Sequence, residues 1–284
     1  MLNYGQGFYE LKKALQPLYD EGEADAIAHM IMENLTGLGK LQRLDNKETP
    51  FTEAQQTAFD TAKNKLLTAT PVQYVLGKAW FWSYEFTVNE DVLIPRPETE
   101  ELVEWLVRGV KKDQTKPNIL DIGTGSGCIS ITTKLQLPEV TITACDVSEG
   151  ALAIAQQNAK DLDADVTFMQ VDFLKEEDRN KLGTYDIIVS NPPYIPVTEQ
   201  HTLHANVLDH EPHVALFVPG NDPLLFYRLI ADFGKERLTA KGLIYCELDA
   251  DHAIATKELF ENKGYSVEIR EDLAGNTRML KASL

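Results

Sequence analysis

Short apolar runs typical of β-strands alternate with amphipathic runs typical of helices from Pro117 to the end of the chain. This alternation predicts an α/β fold with a doubly wound, largely parallel sheet. No helix separates the last two strand runs, so we expect them to form an antiparallel pair at the sheet edge. The predicted strands are Asn118–Ile122, Thr141–Cys145, Val166–Gln170, Ile187–Ser190, Leu243–Glu247, Ser266–Arg270 and Thr277–Lys281. The predicted helices lie near Cys128–Leu135, Gly150–Leu162, Pro223–Leu238 and Asp251–Asn262.

The region before this domain has a different pattern. Residues 1–75 carry apolar side chains at helical spacing and predict a small N-terminal helical domain. The aromatic and β-branched run Trp80–Val88 predicts a hairpin, and we assign residues 76–95 to a β-hairpin linker. The α/β domain then covers residues 96–284 and opens with a helix that starts at Pro97.

The chain is acidic, since 27 lysines and arginines against 44 aspartates and glutamates give a formal net charge of −17 over 284 residues. Non-specific binding to nucleic acids depends on cationic side chains that neutralise phosphates, so this charge argues against a general nucleic-acid binder. The three cysteines form no C-x-x-C pair, which predicts buried, reduced thiols in a cytoplasmic protein. We expect no signal peptide and no membrane span.

A glycine-rich loop links the first strand of the α/β domain to the following helix. Its sequence is a G-x-G-x-G run made of Gly123, Thr124, Gly125, Ser126 and Gly127. Glycine allows a backbone to approach a ligand closely, and the start of the next helix offers free N–H groups. The loop therefore predicts a nucleotide-type site, with a tight strand–helix turn as the alternative.

Acidic residues follow the next two strands. Asp146 ends the second strand, where a carboxylate can accept hydrogen bonds from both hydroxyls of a ribose. Asp172 and Phe173 end the third strand, where the acid can meet a purine edge and the ring can cover its face. The carboxyl ends of parallel strands lie at one edge of a sheet, so we expect these residues to meet there. Helix capping is the alternative for each acid, and Ser148 competes with Asp146 for that role.

The tetrapeptide Asn191-Pro192-Pro193-Tyr194 follows the fourth strand and is the most specific motif in the chain. Its prolines stiffen the loop and remove two backbone donors, which leaves carbonyl groups free to accept. The side-chain carbonyl of Asn191 is a further acceptor, and two such oxygens match the two donors of a planar NH₂ group. Tyr194 supplies a ring that can stack on a flat conjugated group.

This pair of acceptors suits methyl transfer to an amide or aryl amine nitrogen. Such a nitrogen is a weak nucleophile because its lone pair is delocalised. Hydrogen bonds from both N–H groups add electron density to the nitrogen and stabilise the positive charge that develops on it. Fixed dipoles of this kind are worth about 3–4 kcal/mol each in a transition state, and alignment with an activated methyl group adds an entropic term.

With these motifs together, the chain resembles the HemK/PrmC family of protein-(glutamine-N5) methyltransferases, which act on peptide chain release factors. The resemblance covers nearly the whole length. It implies a Rossmann-like methyltransferase domain that uses S-adenosylmethionine and releases S-adenosylhomocysteine. It also implies an N-terminal helical bundle that helps to bind the release factor, and a methyl acceptor in the glutamine of a Gly-Gly-Gln tripeptide. The matching segments are Pro71–Gly77, Leu93–Glu100, Asp121–Gly127, Asn191–Pro196 and Asp272–Arg278.

The resemblance also implies roles for individual residues. Asp146 would hold the ribose, Phe173 would cover the adenine, and Asn191 would bind the glutamine amide together with the Pro192 carbonyl. The predicted catalytic residues are Asn191, Pro192 and Tyr194. The predicted substrate-binding residues are Asn191, Pro192, Pro193 and Tyr194. The predicted cofactor-binding residues are Gly123, Thr124, Gly125, Ser126, Gly127, Asp146, Asp172, Phe173 and Asn191.

Two departures from the family pattern lie outside the matched motifs. Relatives often carry Glu-Ile-Gly where this chain has Glu247-Leu248-Asp249, and Asp-Gly where it has Asp222-Pro223. We expect these differences to change loop shape at the sheet edge and not the reaction type.

Two other kinds of protein fit part of the pattern. One is a methyltransferase that acts on a nucleic-acid amine, such as N6 of adenine in DNA; the other is a non-catalytic scaffold that binds S-adenosylmethionine. The net charge argues against the first, and the intact tetrapeptide argues against the second. We expect a monomer whose partner is a release factor, without direct contact to nucleic acid or membrane.

The remaining candidates are histidines and one possible ion pair. His201, His204, His210 and His213 follow the tetrapeptide, and we expect them to be solvated or packed in loops, with a metal site as the alternative. Arg96 and Glu98 are candidates for an ion pair at the start of the helix that begins at Pro97, and the resemblance implies that they lie near the mouth of the pocket.

Overall fold

The structure, a computed structural model, describes residues 1–113, 115–202 and 204–284. It divides into two compact units. One unit contains Met1–Lys78 with His204–His210, and the other contains Ala79–Leu203 with Glu211–Leu284.

Within the described residues, the predicted strands and helices of the α/β domain appear in the expected order, together with short elements between residues 176 and 218 that were not predicted. The helices are α1 (Tyr4–Leu15), α2 (Glu21–Thr36), α3 (Lys40–Asp45), α4 (Glu53–Leu67), α5 (Val72–Leu76), α6 (Pro97–Asp113), α7 (Cys128–Gln136), α8 (Glu149–Asp161), α9 (Glu176–Arg179), α10 (Ala205–Leu208), α11 (His213–Leu216), α12 (Leu225–Arg237) and α13 (Ala253–Asn262). The strands are β1 (Lys78–Phe81), β2 (Tyr84–Thr87), β3 (Asn118–Ile122), β4 (Thr141–Asp146), β5 (Thr167–Gln170), β6 (Tyr185–Ser190), β7 (Ile195–Pro196), β8 (Phe217–Val218), β9 (Leu238–Glu247), β10 (Ser266–Glu271) and β11 (Thr277–Ser283). A 3₁₀-helix spans Val197–Thr202.

The helical N-terminal region predicted from the sequence is confirmed, and its helices start at polar caps. The side chain of Asn3 accepts a hydrogen bond from the Gln6 N–H at the start of α1, and Thr52 accepts from the Gln55 N–H at the start of α4. In both cases the glutamine side chain bonds back to the cap, which satisfies backbone donors that a helix start leaves free. The apolar faces of α1, α2 and α4 meet in one core, which includes Leu11, Leu15, Ile27, Ile31, Phe59 and Leu66.

The second unit is built on a seven-stranded sheet of described residues, in the order β10-β11-β9-β6-β3-β4-β5. Strands β5, β4, β3, β6 and β9 run parallel to one another, whereas β11 is antiparallel to both β9 and β10. The prediction of a doubly wound sheet with an antiparallel C-terminal pair is therefore confirmed. β1 and β2 form a separate two-stranded sheet joined at Trp82 and Ser83, where a hairpin was predicted.

Helices cover both faces of this sheet, and successive strand residues alternate between two cores because strand side chains point to opposite faces. In β6, Ile188 lies in one core, and Ile187 and Val189 lie in the other. The first core includes Tyr227 of α12 and Phe260 of α13, and the second includes residues of α6 and α7.

One boundary differs clearly from the prediction. We predicted a helix as far as Leu238 and a strand from Leu243, but α12 ends at Arg237 and β9 begins at Leu238. The Leu238 backbone is extended, with φ −83° and ψ 146°, and the residue pairs with Tyr185 of β6. Its buried side chain belongs to the first sheet core, so burial in the sheet outweighs continuation of the amphipathic helix.

Candidate active site

The carboxyl ends of four neighbouring parallel strands lie in register. Ile122 of β3 pairs with Cys145 of β4 and with Ser190 of β6, and Ser190 pairs in turn with Cys246 of β9. The next residue on each strand therefore falls in one row along the sheet edge; these residues are Gly123, Asp146, Asn191 and Glu247. The chain runs outward from β3 through β4 to β5 and returns to β6 on the other side of β3. Such a reversal opens a crevice outside the strand ends, where ligands bind in open α/β sheets.

A cavity of about 230 Å³ occupies this crevice. The glycine loop, the ends of β4 and β5, and the proline-rich loop after β6 contribute to its walls. The predicted site residues that line it are Gly123, Gly125, Asp146, Asp172, Phe173, Asn191, Pro192 and Pro193. Sequence analysis missed two further wall segments, which are residues 91–93 before α6 and residues 214–219 around β8.

The two glycines that face the cavity leave room for a ligand. Gly123 has φ +74° and Gly125 has φ +53°, and a Cβ atom on either one would meet no other atom within 4 Å. A side chain at these positions would point into open space and would require a backbone conformation that L-residues rarely adopt. The loop therefore forms a cradle whose backbone is accessible to a bound group.

The other three residues of the loop face the protein interior. Thr124 and Ser126 are buried, and a Cβ on Gly127 would lie 2.7 Å from Cδ1 of Ile131. Thr124 Oγ1 donates a 2.7 Å hydrogen bond to Oδ2 of the fully buried Asp121. Burial raises the pKa of Asp121 to about 6. These residues stabilise the buried side of the loop, and the part played by Asp121 was not predicted from the sequence.

Asp146 is held by the loop it faces. Its Oδ2 accepts from the Gly125 N–H at 2.9 Å, and its Oδ1 accepts from the Ser148 N–H at 2.9 Å. Ser148, and not Asp146, caps α8, since the Ser148 side chain accepts from the Ala151 N–H. The capping alternative for Asp146 is thereby settled in favour of Ser148. Each carboxylate oxygen keeps further acceptor capacity for a ligand.

Asp172 and Phe173 line the cavity after the end of β5. Oδ1 of Asp172 accepts from the Leu174 N–H at 3.1 Å, and Oδ2 lies 3.0 Å from Nζ of Lys175. The ring of Phe173 is buried edge-on against Phe233, with centroids 5.5 Å apart. This packing fixes the ring as one wall of the cavity.

Asn191 is oriented by two buried side chains. Its Nδ2 donates to Oγ1 of Thr99 at 3.3 Å, and Thr99 Oγ1 donates to Oε2 of Glu247 at 2.5 Å. Because the amide nitrogen is turned toward Thr99, the acceptor Oδ1 of Asn191 is free for a ligand.

Tyr194 packs against the core that contains Tyr227 and Phe260. Burial, with the charge of Glu247 acting in the same direction, raises the pKa of Tyr194 to about 12. The hydroxyl therefore stays protonated at neutral pH.

Glu247 is the main site residue that sequence analysis missed. It is 3% exposed at the end of β9, and burial raises its pKa to about 7. Parallel pairing of β9 with β6 brings Glu247, which this chain shares with the Glu-Ile-Gly pattern of the family, beside Asn191. An acid at the end of an apolar strand was the available signal, the same one that identified Asp146.

The candidate ion pair between Arg96 and Glu98 does not form among the described residues. Arg96 Nη2 instead pairs with Oε1 of Glu211, and the Ile94 N–H donates to Oε2 of Glu211 at 3.1 Å. The Glu211 side chain is 1% exposed, and a buried carboxylate needs such partners.

The four histidines have separate surroundings. A ring nitrogen of His201 lies 3.0 Å from the Thr198 carbonyl oxygen, and one of His210 lies 2.9 Å from the Thr68 carbonyl oxygen. The ring of His213 packs edge-on against Phe217. In the part of the chain that the structure describes, no group of three or more His, Cys, Asp or Glu side chains is arranged to hold a metal ion.

Comparisons with known proteins agree with this architecture. A family model described as the methyltransferase small domain matches residues 100–213, and one described as the PrmC N-terminal domain matches residues 10–77. The fold is similar to the hMettl16 catalytic domain, solved in complex with the MAT2A 3′UTR hairpin 6, with a TM-score of 0.54, 17% identity and 82% of each chain covered. The fold and the matched domain define the chain as a methyltransferase.

Relatives with higher sequence identity identify the family of methyltransferases to which the chain belongs. The release factor glutamine methyltransferase of Flavobacterium psychrophilum is 40% identical over 99% of this chain and 98% of its own. That of Bacteroides thetaiotaomicron is 40% identical over 96% of this chain and 97% of its own. The chain belongs to the release factor glutamine methyltransferase family, so the family predicted from the sequence motifs is confirmed.

Two further observations concern the chain as a whole. Cys128, Cys145 and Cys246 are free and buried, as predicted. Among the helices of residues 1–113, 115–202 and 204–284, none combines the length and the apolar character that a membrane span requires.

Proposed function

We propose that the protein transfers a methyl group from S-adenosylmethionine to the side-chain amide nitrogen N5 of the glutamine in the Gly-Gly-Gln motif of peptide chain release factors. The observation that carries the proposal is the shared cavity. Asn191 and Pro192 line the same space as the glycine loop and Asp146. The same cavity therefore contains hydrogen-bond acceptors for an amide NH₂ group and a glycine loop that can hold a nucleotide.

The residues present fit S-adenosylmethionine. The open Cβ directions of Gly123 and Gly125 leave backbone accessible to the ligand, and Asp146, which also lines the cavity, would accept from the ribose hydroxyls. Phe173 would cover one face of the adenine, and Asp172 would lie at its edge. When bound, this cofactor supplies a methyl group activated by attachment to a sulfonium.

The chain's own groups act on the acceptor nitrogen. Asn191 Oδ1 and the Pro192 carbonyl accept hydrogen bonds from the two N–H groups of the glutamine amide, which keeps electron density on its nitrogen. Each fixed dipole contributes about 3–4 kcal/mol as positive charge develops. Pro192 and Pro193 have no N–H to compete for these acceptors. The methylated nitrogen releases its proton to water.

A methyl-transfer assay tests the proposal. The full-length protein is incubated with labelled S-adenosylmethionine and either a release factor or the same release factor with its Gly-Gly-Gln glutamine changed to asparagine. We expect one methyl group per wild-type release factor, mapped by mass spectrometry to that glutamine, and none on the Gln→Asn substrate. No transfer to wild-type release factor, or equal labelling of both substrates, would contradict the proposal.

We also propose that the protein acts as a monomer in the cytoplasm. The three buried free thiols suit a reducing compartment.

A further inference from the structure

A buried chain of hydrogen bonds runs from the end of β9 to the proposed substrate amide site. Glu247 ends β9, Thr99 lies in the first turn of α6, and Asn191 follows β6. Thr99 is 2% exposed and Glu247 is 3% exposed, so water does not compete for these groups. The two links measure 2.5 Å from Thr99 Oγ1 to Glu247 Oε2 and 3.3 Å from Asn191 Nδ2 to Thr99 Oγ1.

The number of protons available in this hydrogen-bond chain determines which group donates and which accepts at each link. An ionised carboxylate can only accept, so Glu247 takes the single hydroxyl proton of Thr99. Thr99 Oγ1 is then an acceptor toward Asn191, and the only group of the Asn191 side chain that can donate is the NH₂. The amide must therefore turn its nitrogen toward Thr99 and keep Oδ1 free.

A protonated Glu247 removes this constraint. The carboxylic acid can then donate to Thr99, and the Thr99 hydroxyl becomes free to donate to Asn191 Oδ1. In that state the amide can present its NH₂ to the cavity, where it would face the NH₂ of a substrate amide, donor against donor.

We propose that Thr99 and Glu247 are positioning residues, which hold the Asn191 side chain in the one orientation that presents Oδ1 to the methyl-accepting amide. The inference rests on the proposed function and adds to it a device that selects the active rotamer of Asn191. Neither residue needs to touch the substrate.

The orientation of the Asn191 side chain should depend on pH because it depends on the ionisation of Glu247. Burial raises the pKa of Glu247 to about 7, and the charge of Glu98 acts in the same direction, whereas Arg278 and Arg96 act against it. The other titratable groups that interact with it are the hydroxyls of Tyr194 and Tyr227 and the buried thiol of Cys128, and Tyr227 also donates to the Glu247 backbone carbonyl. Turnover should therefore rise as pH increases through about 7, as Glu247 ionises.

The first test removes only the Thr99 hydroxyl, which is the middle group of the hydrogen-bond chain. Thr99→Val deletes the hydroxyl at nearly constant volume, and Thr99→Ser restores it. Thr132→Val is the matched control, because Thr132 is also buried in the described residues and its Oγ1 has no hydrogen-bond partner there. We expect Thr99→Val to lower kcat roughly 10- to 100-fold, with KM for the cofactor within a few-fold of wild type. Thr99→Ser and Thr132→Val should keep wild-type kcat.

The second test follows the orientation of the amide directly. In the wild type, the ¹⁵N side-chain resonance of Asn191, assigned by its loss in Asn191→Ala, should shift with pH around 7 together with kcat. In Glu247→Gln, which cannot ionise, both the shift and the acid limb of the kcat profile should disappear. This titration decides the question even if Thr99→Val does not fold.

The outcomes separate this inference from the function on which it rests. If the wild-type enzyme transfers no methyl group to a release factor, the proposed function fails, and the inference fails with it. If the wild type is active and Thr99→Val matches Thr132→Val in kcat, the positioning role alone is overturned. An unchanged acid limb in Glu247→Gln would overturn it as well.

Discussion

At the scale of single residues, Asn191 has the most direct part in the proposed chemistry. Its Oδ1 is the acceptor left for a substrate amide, so Asn191→Ala removes an interaction that strengthens in the transition state. We expect kcat to fall about 10²-fold or more, with only a small change in Kd for S-adenosylmethionine. Steady-state kinetics and calorimetric titration of the cofactor measure the two effects. Equal losses in both would show that Asn191 mainly binds the cofactor.

Asp146 should behave in the opposite way. Its carboxylate accepts from the N–H groups of Gly125 and Ser148 and lines the cavity, so Asp146→Ala removes a ribose acceptor and loosens the glycine loop. Hydrogen bonds to charged groups contribute about 1.5–3 kcal/mol, which corresponds to about a 10- to 100-fold weaker Kd for the cofactor. Asp161→Ala, at an exposed position at the end of α8, is the control. Unchanged affinity in Asp146→Ala would refute the ribose assignment.

The buried carboxylate of Glu247 should also affect stability. Its pKa rises from 4.5 to about 7 on folding, so between these pH values the native state holds a proton that the unfolded state has released. Its contribution to stability is therefore full below pH 4.5 and is lost as pH rises through 7. From pH 5 to pH 8 the wild type should lose about 2–3 kcal/mol more than Glu247→Gln. Urea unfolding of both proteins at the two pH values measures this, and a pH-independent difference would contradict it.

At the scale of elements, the sequence predicted the strands of the sheet well because strand periodicity and glycine loops are local features. It did not predict which strand ends would be neighbours in space. Glu247 and Asn191 belong to different strands, and their proximity depends on the parallel pairing of β9 with β6. The pair Arg96–Glu211 spans 115 positions, and no local pattern links the two residues. Side chains that support the site from another element were therefore the ones missed.

Gly127, at the start of α7, lies in a closely packed position between α7 and α8. Gly127 has φ +81°, and a Cβ there would lie 2.7 Å from Cδ1 of Ile131 and 3.3 Å from Cβ of Ala155 in α8. We expect Gly127→Ala to lower the free energy of unfolding by about 1–3 kcal/mol, because it adds backbone strain to overpacking. Gly183→Ala is the matched control, since a Cβ at Gly183 would meet no atom within 4 Å. Chemical denaturation compares them, and equal stability of both variants would show that the helix can shift without cost.

At the scale of the whole molecule, charge separates the proposed substrate from the main alternative. The fold alone does not decide, because the similar hMettl16 domain was solved with an RNA hairpin. The net charge of −17 disfavours binding to a phosphate backbone, because such binding depends on Lys and Arg side chains that neutralise phosphates and release their counterions into solution. Repulsion between two polyanions is strongest at low salt, where screening is weakest.

A competition experiment tests whether this repulsion keeps nucleic acids away from the protein. Methyl transfer to a release factor is measured at low and at near-physiological salt, with and without an excess of adenine-containing duplex DNA or an RNA hairpin. We expect the rate to be unaffected by either nucleic acid at both salt concentrations, with no label on the oligonucleotides, because a net charge of −17 repels a polyanion. Inhibition at low salt that disappears as salt is added would reveal a basic patch hidden by the net charge. Label on adenine would identify a nucleic-acid amine as a second substrate of the Asn191 site.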